Sequence, residues 1–191
     1  MSEPAPLFPL FLKLASRRVV VVGGGAMAAS KVEGLLRARA VVIVLAPEIR
    51  AELARPDVQV RRRAFRPSDL DGAWLAIAAA TPDVNRQVAA AAEERHIFVN
   101  AVDDPAAASA YMGGVIRKGG ATVAISTEGQ APALAGLLRQ GLESLLPHDL
   151  EVWTVQARAL RELWKSQGVP IDRRRPLLLD ALNRLYREAA P

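Results

Sequence analysis

The sequence contains no cysteine in 191 residues. Disulfides, a thiolate nucleophile and cysteine-based metal sites are therefore excluded. Only two histidines occur, His96 and His148. They lie too far apart in sequence to match the usual spacing of metal ligands, and no Ser-His-Asp pattern accompanies them. Nothing in the sequence indicates a nucleophilic hydrolase, and we expect no protein-bound metal.

Long apolar runs are missing as well. Hydrophobic residues make up 51% of the chain, which is ample for a core, but no run is long enough to cross a bilayer. Residues 1–4 lack the basic start and apolar stretch of a signal peptide. We therefore expect a soluble cytoplasmic protein, built as one domain with an appendage or as two small domains.

Aromatic residues and lysines are scarce, whereas arginines are abundant. Aromatic residues form 5% of the chain, and the net charge is +5. The longest arginine runs are residues 61–63 and 173–175. Because the other arginines are dispersed and few aromatics accompany them, we expect no nucleic-acid binding. We interpret the two runs as solvated faces or as partners of a polyanionic small molecule.

The most informative segment is RRVVVVGGGAMA at residues 17–28. An apolar strand runs into G-x-G-x-x-A, and a helix is predicted over residues 28–38, an order typical of a dinucleotide site. Gly23 allows the tight turn, Gly25 lets the backbone approach a pyrophosphate, and Ala28 lets the helix pack on the strand. The helix start offers N–H groups to the phosphates. A turn without a ligand is disfavoured, since three consecutive glycines cost backbone entropy.

The pattern up to residue 110 predicts a parallel α/β sheet. Besides the strand at 19–22, apolar or alternating segments predict strands at 40–46, 58–62, 74–79 and 97–99. A helix is predicted at 83–95 and a helical turn at 67–70. This order gives a Rossmann-like α/β domain over residues 1–110, with right-handed crossovers.

After residue 110 the pattern changes. Two short β segments at 111–116 and 122–126 predict a hairpin, followed by an amphipathic helix at 132–146. These elements are too small to bury their own apolar faces, so we expect the α+β segment 111–147 to pair with a second copy as a homodimer. Helices at 152–165 and 176–189 predict a helical C-terminal domain over residues 148–191.

Two aspartates, Asp103 and Asp104, follow the last parallel strand and precede Pro105. Open α/β sheets bind ligands at the carboxyl ends of their strands, so a carboxylate here can exchange a proton during hydride transfer. A plain turn is equally consistent, because Asp before Pro is a common turn former.

Thr81 and Asn85 follow the strand at 74–79. They either contact cofactor or substrate, or cap the next helix. Glu48 is the nearest acidic candidate for ribose hydroxyls after the second strand, and Arg50 lies close by in sequence. Charge therefore leaves the choice between NAD and NADP open.

Six blocks occur together in one order. They are PLFPLFLKL at 6–14, the VVGGG turn with Lys31, WLAIAAAT at 74–81, VNAVD at 99–103, VAISTEGQAP at 123–132, and LR with LESLLP between 138 and 147. As a set they resemble the precorrin-2 dehydrogenase family, the NAD-dependent module of siroheme synthases. Many members of that family also act as sirohydrochlorin ferrochelatases. The resemblance covers about residues 6–147.

The resemblance implies NAD-dependent oxidation of precorrin-2 to sirohydrochlorin, with Fe²⁺ as the substrate of a second, chelating step in many members. It implies that Asp103, not Asp104, is catalytic. The positions it implies for the cofactor NAD are Gly23, Gly25, Ala26 and Met27 in the turn and the corner at Pro47 and Glu48. We add Thr81 as a cofactor contact from its place after the strand at 74–79, and we expect Asn100, Ser126 and Thr127 to contact the substrate. It also implies a homodimer and, without a methyltransferase domain, a stand-alone enzyme.

The chain departs from the family pattern in three places. A Phe-x-x-Pro-Ala near residue 110 is replaced by residues 110–114, a Gly-Ala pair by residues 39–40, and a Gly-Gly-x-Ser-Pro by residues 128–132. The first and third lie on the substrate side in the family, so they bear on substrate position and on chelation. Two alternatives stay open: a chelatase without hydride transfer, which the intact glycines disfavour, and a non-catalytic NAD-binding regulatory dimer.

Overall fold

The computed structural model describes residues 6–188. Residues 1–4 and the predicted helix end at residue 189 lie outside this range. The chain divides into two compact units. The first comprises the chain up to Met112 together with Glu128–Gln130, and the second comprises Gly113–Thr127 and the chain from Ala131 onward. The predicted hairpin, its helix and the C-terminal helices thus fall in one unit.

The first unit is a five-stranded sheet with the order β3-β2-β1-β4-β5, in which every neighbouring pair is parallel. Its strands are β1 (Arg18–Val22), β2 (Val41–Leu45), β3 (Val58–Arg61), β4 (Leu75–Ala78) and β5 (Phe98–Ala101). Its helices are α1 (Ala26–Arg37) and α2 (Pro82–Glu93), with 3₁₀ turns at Ala51–Leu53, Pro67–Leu70 and Pro105–Ala107. The predicted Rossmann-like sheet is confirmed.

Both faces of this sheet are covered, which explains why the sequences of β1, β2 and β4 are nearly continuous apolar runs. On β1, Val19 and Val21 point to one core cluster, and Val20 and Val22 point to another. The first cluster contains Ala28, Val32 and Leu35 of α1. The second contains Val88, Ala91 and Ala92 of α2. Ala28 is fully buried, as its predicted packing on the strand requires.

A buried carboxylate ties β3 to the 3₁₀ turn at Pro67–Leu70. The Asp69 side chain is only 3% exposed. It accepts hydrogen bonds from both terminal nitrogens of Arg63, at 2.7 Å for Nη1, and from the Arg66 N–H at 2.9 Å. Arg61 adds a longer contact at 3.4 Å. The hydrogen bonds from Arg63 lower the pKa of Asp69 below its ordinary value of 3.8, so part of the first arginine run serves this internal carboxylate.

Replacing Asp69 by asparagine is expected to lower the free energy of unfolding by roughly 2–3 kcal/mol at neutral pH, because Arg63 loses its charged partner. The loss is no larger because water still partly solvates Arg63. A carboxyl whose pKa is lowered on folding stabilises the fold above its unfolded pKa, and this contribution is lost as the pH falls through the folded pKa. The variant's deficit should therefore shrink in acid. Urea unfolding across the acid range measures it, with Asp71→Asn on the same turn as an exposed control; a deficit that does not change with pH contradicts this account.

The second unit starts with an antiparallel hairpin of β6 (Gly114–Lys118) and β7 (Ala121–Ile125). Three helices follow, α3 (Pro132–Leu145), α4 (Leu150–Ser166) and α5 (Ile171–Glu188). The hairpin and the first two helices were predicted close to these bounds. Among the described helices, none is both long enough and apolar enough to cross a membrane.

One departure from the family pattern has a packing reason inside this unit. A Cβ added at Gly113 would overlap the carbonyl oxygen of Ile125 on β7. A Cβ added at Gly114 would lie 3.0 Å from the carbonyl oxygen of Ala135 and 3.2 Å from Cβ of Arg139, both on α3. Gly113 therefore lets the chain approach β7 closely, and Gly114 lets the hairpin approach α3.

Two predicted bounds were wrong. Helix α5 begins at Ile171, so Pro176 lies inside it and does not start it. A proline inside a helix removes one backbone N–H donor and crowds the carbonyl four residues earlier. Arg174 donates from Nε and Nη2 to the Val169 carbonyl, just before α5, at 3.0 and 2.8 Å. Strand β5 runs on to Ala101, because its pairing with β4 continues to that residue.

Candidate functional site

The predicted cofactor residues lie where the strands of the first unit end, an edge we call the carboxyl edge. The chain passes from β1 through α1 to β2 on one side, and β4 lies on the other side of β1. This reversal of strand order is where open α/β sheets bind ligands. Backbone hydrogen bonds continue past the strand ends. The Gly23 N–H donates to the Leu45 carbonyl at 2.9 Å, and the Ala79 N–H donates to the Val22 carbonyl at 2.8 Å.

The first two glycines of the turn are required by packing. Gly23 has a φ of +132°, and a Cβ there would overlap the carbonyl oxygen of Ala79 beyond β4. A Cβ at Gly24 would overlap the carbonyl oxygen of Glu48, and the Arg50 N–H donates to the Gly24 carbonyl at 3.0 Å. The turn is thus held between the segments that follow β4 and β2. The sequence motif does not specify a residue at Gly24, so its role was missed.

Gly25 is different, because packing gives no reason for a glycine there. A Cβ added at Gly25 would meet no heavy atom of the described residues within 4 Å. Gly25 precedes α1, has no side chain to cap that helix, and the first turn of α1 carries no acidic residue. No described side chain therefore caps the N–H groups at the helix start, and together with the positive end of the helix they suit a pyrophosphate. Ala26 and Met27, which follow, are exposed.

The segment after β2 forms the other wall of this cradle. Pro47 and Glu48 are exposed, while the backbone of Glu48 packs on Gly24. The two nearby guanidinium groups are engaged: Arg50 pairs with Glu52 at 3.1 Å, and Arg62 donates to the Ile49 carbonyl at 3.3 Å. The exposed carboxylate of Glu48 suits the ribose hydroxyls of NAD better than the additional phosphate of NADP.

The structure separates the roles of the two aspartates after β5. Asp104 is half-buried, and its Oδ1 accepts the Ala107 N–H at 3.3 Å, which caps the 3₁₀ turn. Asp103 is exposed and has a φ of +58°, a left-handed conformation that aspartate tolerates better than most residues. The turn interpretation therefore accounts for Asp104, and the neighbouring Asp103 carboxylate stays available at the carboxyl edge.

Thr81 and Asn85 also have different positions. Thr81 precedes α2, is exposed, and makes no side-chain capping bond. Asn85 is 3% exposed; its Oδ1 accepts the Ala80 N–H at 2.9 Å and its Nδ2 lies 3.5 Å from the Val102 carbonyl. Asn85 therefore joins the segments after β4 and β5, a role that neither sequence interpretation included. The Thr81 contact with the cofactor stays a prediction.

Asn100 lies within β5 and is buried. Its Nδ2 donates to the Ala110 carbonyl at 3.0 Å, while its Oδ1 accepts no hydrogen bond from the described residues. Ser109 Oγ accepts the Val99 N–H at 2.9 Å, so the returning chain covers the outer edge of β5. The predicted substrate contact of Asn100 stays a prediction. So do those of Ser126 and Thr127, which follow β7 in the second unit.

Tyr111 and Gly129, which lie within two of the segments that depart from the family pattern, are in contact next to the aspartate turn. The Tyr111 hydroxyl donates to the Pro105 carbonyl at 2.9 Å. Gly129, with a φ of +75°, packs on the same pair: a Cβ there would lie 3.1 Å from Cε1 of Tyr111 and 3.3 Å from Cγ of Pro105. The two segments are thus in contact with each other through Tyr111 and Gly129. No sequence pattern predicted this contact.

Comparison with protein families identifies the first unit. The sequence model of a family described as "Putative NAD(P)-binding" matches residues 10–114, which is more than half of the chain. The chain belongs to this NAD(P)-binding family. The predicted nicotinamide dinucleotide cofactor is thereby confirmed, and the matched range contains the glycine turn, Glu48, Thr81 and Asp103.

Two relatives named siroheme synthase resemble the chain over most of its length. It is 42% identical over 172 residues to "Siroheme synthase 1" of Aeromonas hydrophila, and 39% identical over 180 residues to "Siroheme synthase" of Photorhabdus laumondii. These matches cover 87% and 92% of the chain but 37% and 38% of the relatives, so the chain spans less than two-fifths of their length.

A solved structure titled "SirC, precorrin-2 dehydrogenase" is similar to most of the chain. It has a TM-score of 0.69 and 25% sequence identity, over 91% of this chain and 88% of that one. The resemblance drawn from the six sequence blocks is therefore confirmed by relatives and by a solved structure.

Proposed function

We propose that the chain is an NAD-dependent dehydrogenase that oxidises precorrin-2 to sirohydrochlorin. The observation that carries the proposal is the placement of Asp103, an exposed carboxylate at the same carboxyl edge as the open space in front of Gly25. The similarity to proteins named siroheme synthase and precorrin-2 dehydrogenase supports the choice of substrate. The NAD(P)-binding family supports the choice of cofactor class.

The chain's own residues would divide the work as follows. Bound NAD⁺ supplies a hydride acceptor, so the oxidation requires the protein to hold the cofactor and to accept one proton. The backbone N–H groups at the start of α1, beside Gly25, hold the pyrophosphate. The Asp103 carboxylate accepts the proton that leaves the substrate as the hydride departs, which balances the charge of the step.

We infer that NAD⁺ is preferred over NADP⁺. Glu48 presents a carboxylate where the adenosine ribose of a dinucleotide lies in this fold class, and a carboxylate repels an additional phosphate. Arg50 already pairs with Glu52, and Arg62 donates to the Ile49 carbonyl, so both guanidinium groups have other partners that would compete with an additional phosphate.

We also infer that the protein works as a homodimer through its second unit. Within that unit, large apolar side chains remain exposed on α3 and α4. They include Leu134, Leu137, Leu138 and Leu145 of α3, and Val152, Val155 and Leu163 of α4. Exposed apolar side chains in this number are typical of a protein interface, and the hairpin and its helix are too small to cover them alone.

The proposal is tested by following NADH absorbance when the protein is mixed with precorrin-2 and NAD⁺. We expect one NADH for each sirohydrochlorin formed, and a kcat/KM with NADP⁺ at least about tenfold lower, since a repelled or unpaired phosphate costs more than 1.4 kcal/mol. A parallel reaction gives Fe²⁺ and sirohydrochlorin to the protein. Siroheme formation without any NADH from precorrin-2 would establish the chelatase alternative instead, and NAD⁺ binding without turnover would establish the regulatory one; either result overturns the proposal.

A further inference from the structure

The short turn that carries Asp103, residues 102–105, is held at both of its ends by side chains from other segments. We propose that Asn85 and Tyr111 are positioning residues that fix this turn and so direct the Asp103 carboxylate. The inference rests on the proposed function, because it assumes that Asp103 accepts the proton. Neither residue is assigned a contact with cofactor or substrate.

Asn85 acts at the start of the turn. Its Nδ2 faces the Val102 carbonyl at 3.5 Å, and its Oδ1 accepts the Ala80 N–H at 2.9 Å. The side chain is buried, so these two backbone groups are the partners that satisfy it. The Val102 N–H donates to the Ala78 carbonyl at 2.9 Å. The residue before Asp103 is thus fixed to β4 directly and to the segment after β4 through Asn85.

Tyr111 acts at the end of the turn. Its hydroxyl donates to the Pro105 carbonyl at 2.9 Å, two residues after Asp103. Its ring packs on Gly129, and Pro105 packs on the same glycine. Gly129 has a φ of +75°, so a larger residue there would be strained as well as crowded. The tyrosine ring is therefore supported on one side while its hydroxyl holds the turn.

The turn needs such support because Asp103 has a left-handed backbone conformation. A non-glycine residue at a φ of +58° is stable only where its surroundings enforce that conformation. Asp103 itself is exposed and does not anchor the turn by burial. Catalytic groups must be held close to their productive direction, and a misplacement of about 1 Å can cost about a hundredfold in rate.

The decisive variants are Tyr111→Phe, which removes a single oxygen from a half-buried ring, and Asn85→Ser, which shortens the bridge between the two segments. We expect kcat/KM for precorrin-2 to fall about tenfold in each, with the Kd for NAD⁺ changed less than about threefold. Ser109→Ala is the matched control. It removes a side-chain hydrogen bond from the same returning segment, but at Val99 rather than at the turn, and should leave kcat/KM unchanged.

A double-mutant cycle separates positioning from general loss of structure. If Tyr111 acts through Asp103, the effect of Tyr111→Phe should disappear in a protein that already carries Asp103→Asn. A tenfold loss that persists in the Asp103→Asn background overturns the proposal. If Asn85→Ser does not fold, the Tyr111→Phe cycle alone decides.

Amide hydrogen exchange gives a reading that does not depend on activity. We expect faster exchange at Val102 and Ala107 in both variants than in the wild type, and no change there in Ser109→Ala. If the wild type lacks dehydrogenase activity, the proposed function fails, but faster exchange still shows that the two side chains hold the turn. Unchanged exchange in both variants overturns the inference, even in an active enzyme.

Discussion

Replacing Asp103 by asparagine is expected to reduce the turnover of precorrin-2 by about 10²–10⁴-fold, the usual contribution of a general acid or base. The substitution removes the proton acceptor but little else. Asparagine tolerates the left-handed conformation of residue 103 as well as aspartate does, and the side chain is exposed. The Kd for NAD⁺ should therefore stay within about threefold of the wild type, because the phosphate-binding backbone is untouched.

The adjacent aspartate provides the matched control for this prediction. Asp104 serves as a cap through its Oδ1, and asparagine keeps an oxygen in that position. Asp104→Asn should thus retain most of the activity in the same NADH assay. Equal activity of Asp103→Asn and the wild type would remove Asp103 from the mechanism, and a larger loss in Asp104→Asn would mean that the assignment of the two roles is inverted.

The sheet could be predicted from the sequence because each strand carries its own signal. Strands β1 and β2 are continuous apolar runs, and a strand covered on both faces needs no alternation. The glycine turn then fixes which end of β1 points to a ligand. The start of α5 could not be predicted, because proline is favoured in the first turn of a helix, whereas Pro176 lies inside α5.

The candidate site was only partly predictable, because several of its contacts join segments far apart in sequence. The motif names Gly23 and Gly25, but the need for Gly24 arises from the Glu48 carbonyl on the neighbouring segment. The Asp-Asp pair does not show which member caps the turn. The place of Asn85 in the sequence is consistent with a ligand contact or a helix cap. In the structure its side chain instead joins the segments that follow β4 and β5.

The second prediction concerns the three glycines of the turn. Packing requires a glycine at Gly23 and Gly24 but not at Gly25. In Gly24→Ala the added methyl group would overlap the carbonyl oxygen of Glu48. We therefore expect the free energy of unfolding to fall by about 3 kcal/mol or more, as at other overpacked sites. Gly25→Ala places its methyl group in open space. That variant should lose at most about 1 kcal/mol, from the poorer helix cap alone.

NAD⁺ binding, unlike folding, is expected to be strongly affected by Gly25→Ala. A methyl group there would stand between the backbone and the pyrophosphate and would disturb the hydrogen bonds from the start of α1. A loss of about 2 kcal/mol in binding corresponds to a Kd for NAD⁺ roughly thirtyfold higher. A stable Gly25→Ala protein with unchanged affinity would mean that the open space in front of this residue is not where the dinucleotide lies.

Calorimetric titration of NAD⁺ into the purified protein tests the central claim most directly, with Gly25→Ala titrated in parallel. We predict saturable binding at a single site per chain in the wild type, and much weaker binding in a variant that unfolds at nearly the same temperature. If the folded wild-type protein takes up neither NAD⁺ nor NADP⁺, the glycine turn does not hold a nicotinamide dinucleotide, and the dehydrogenase assignment is contradicted.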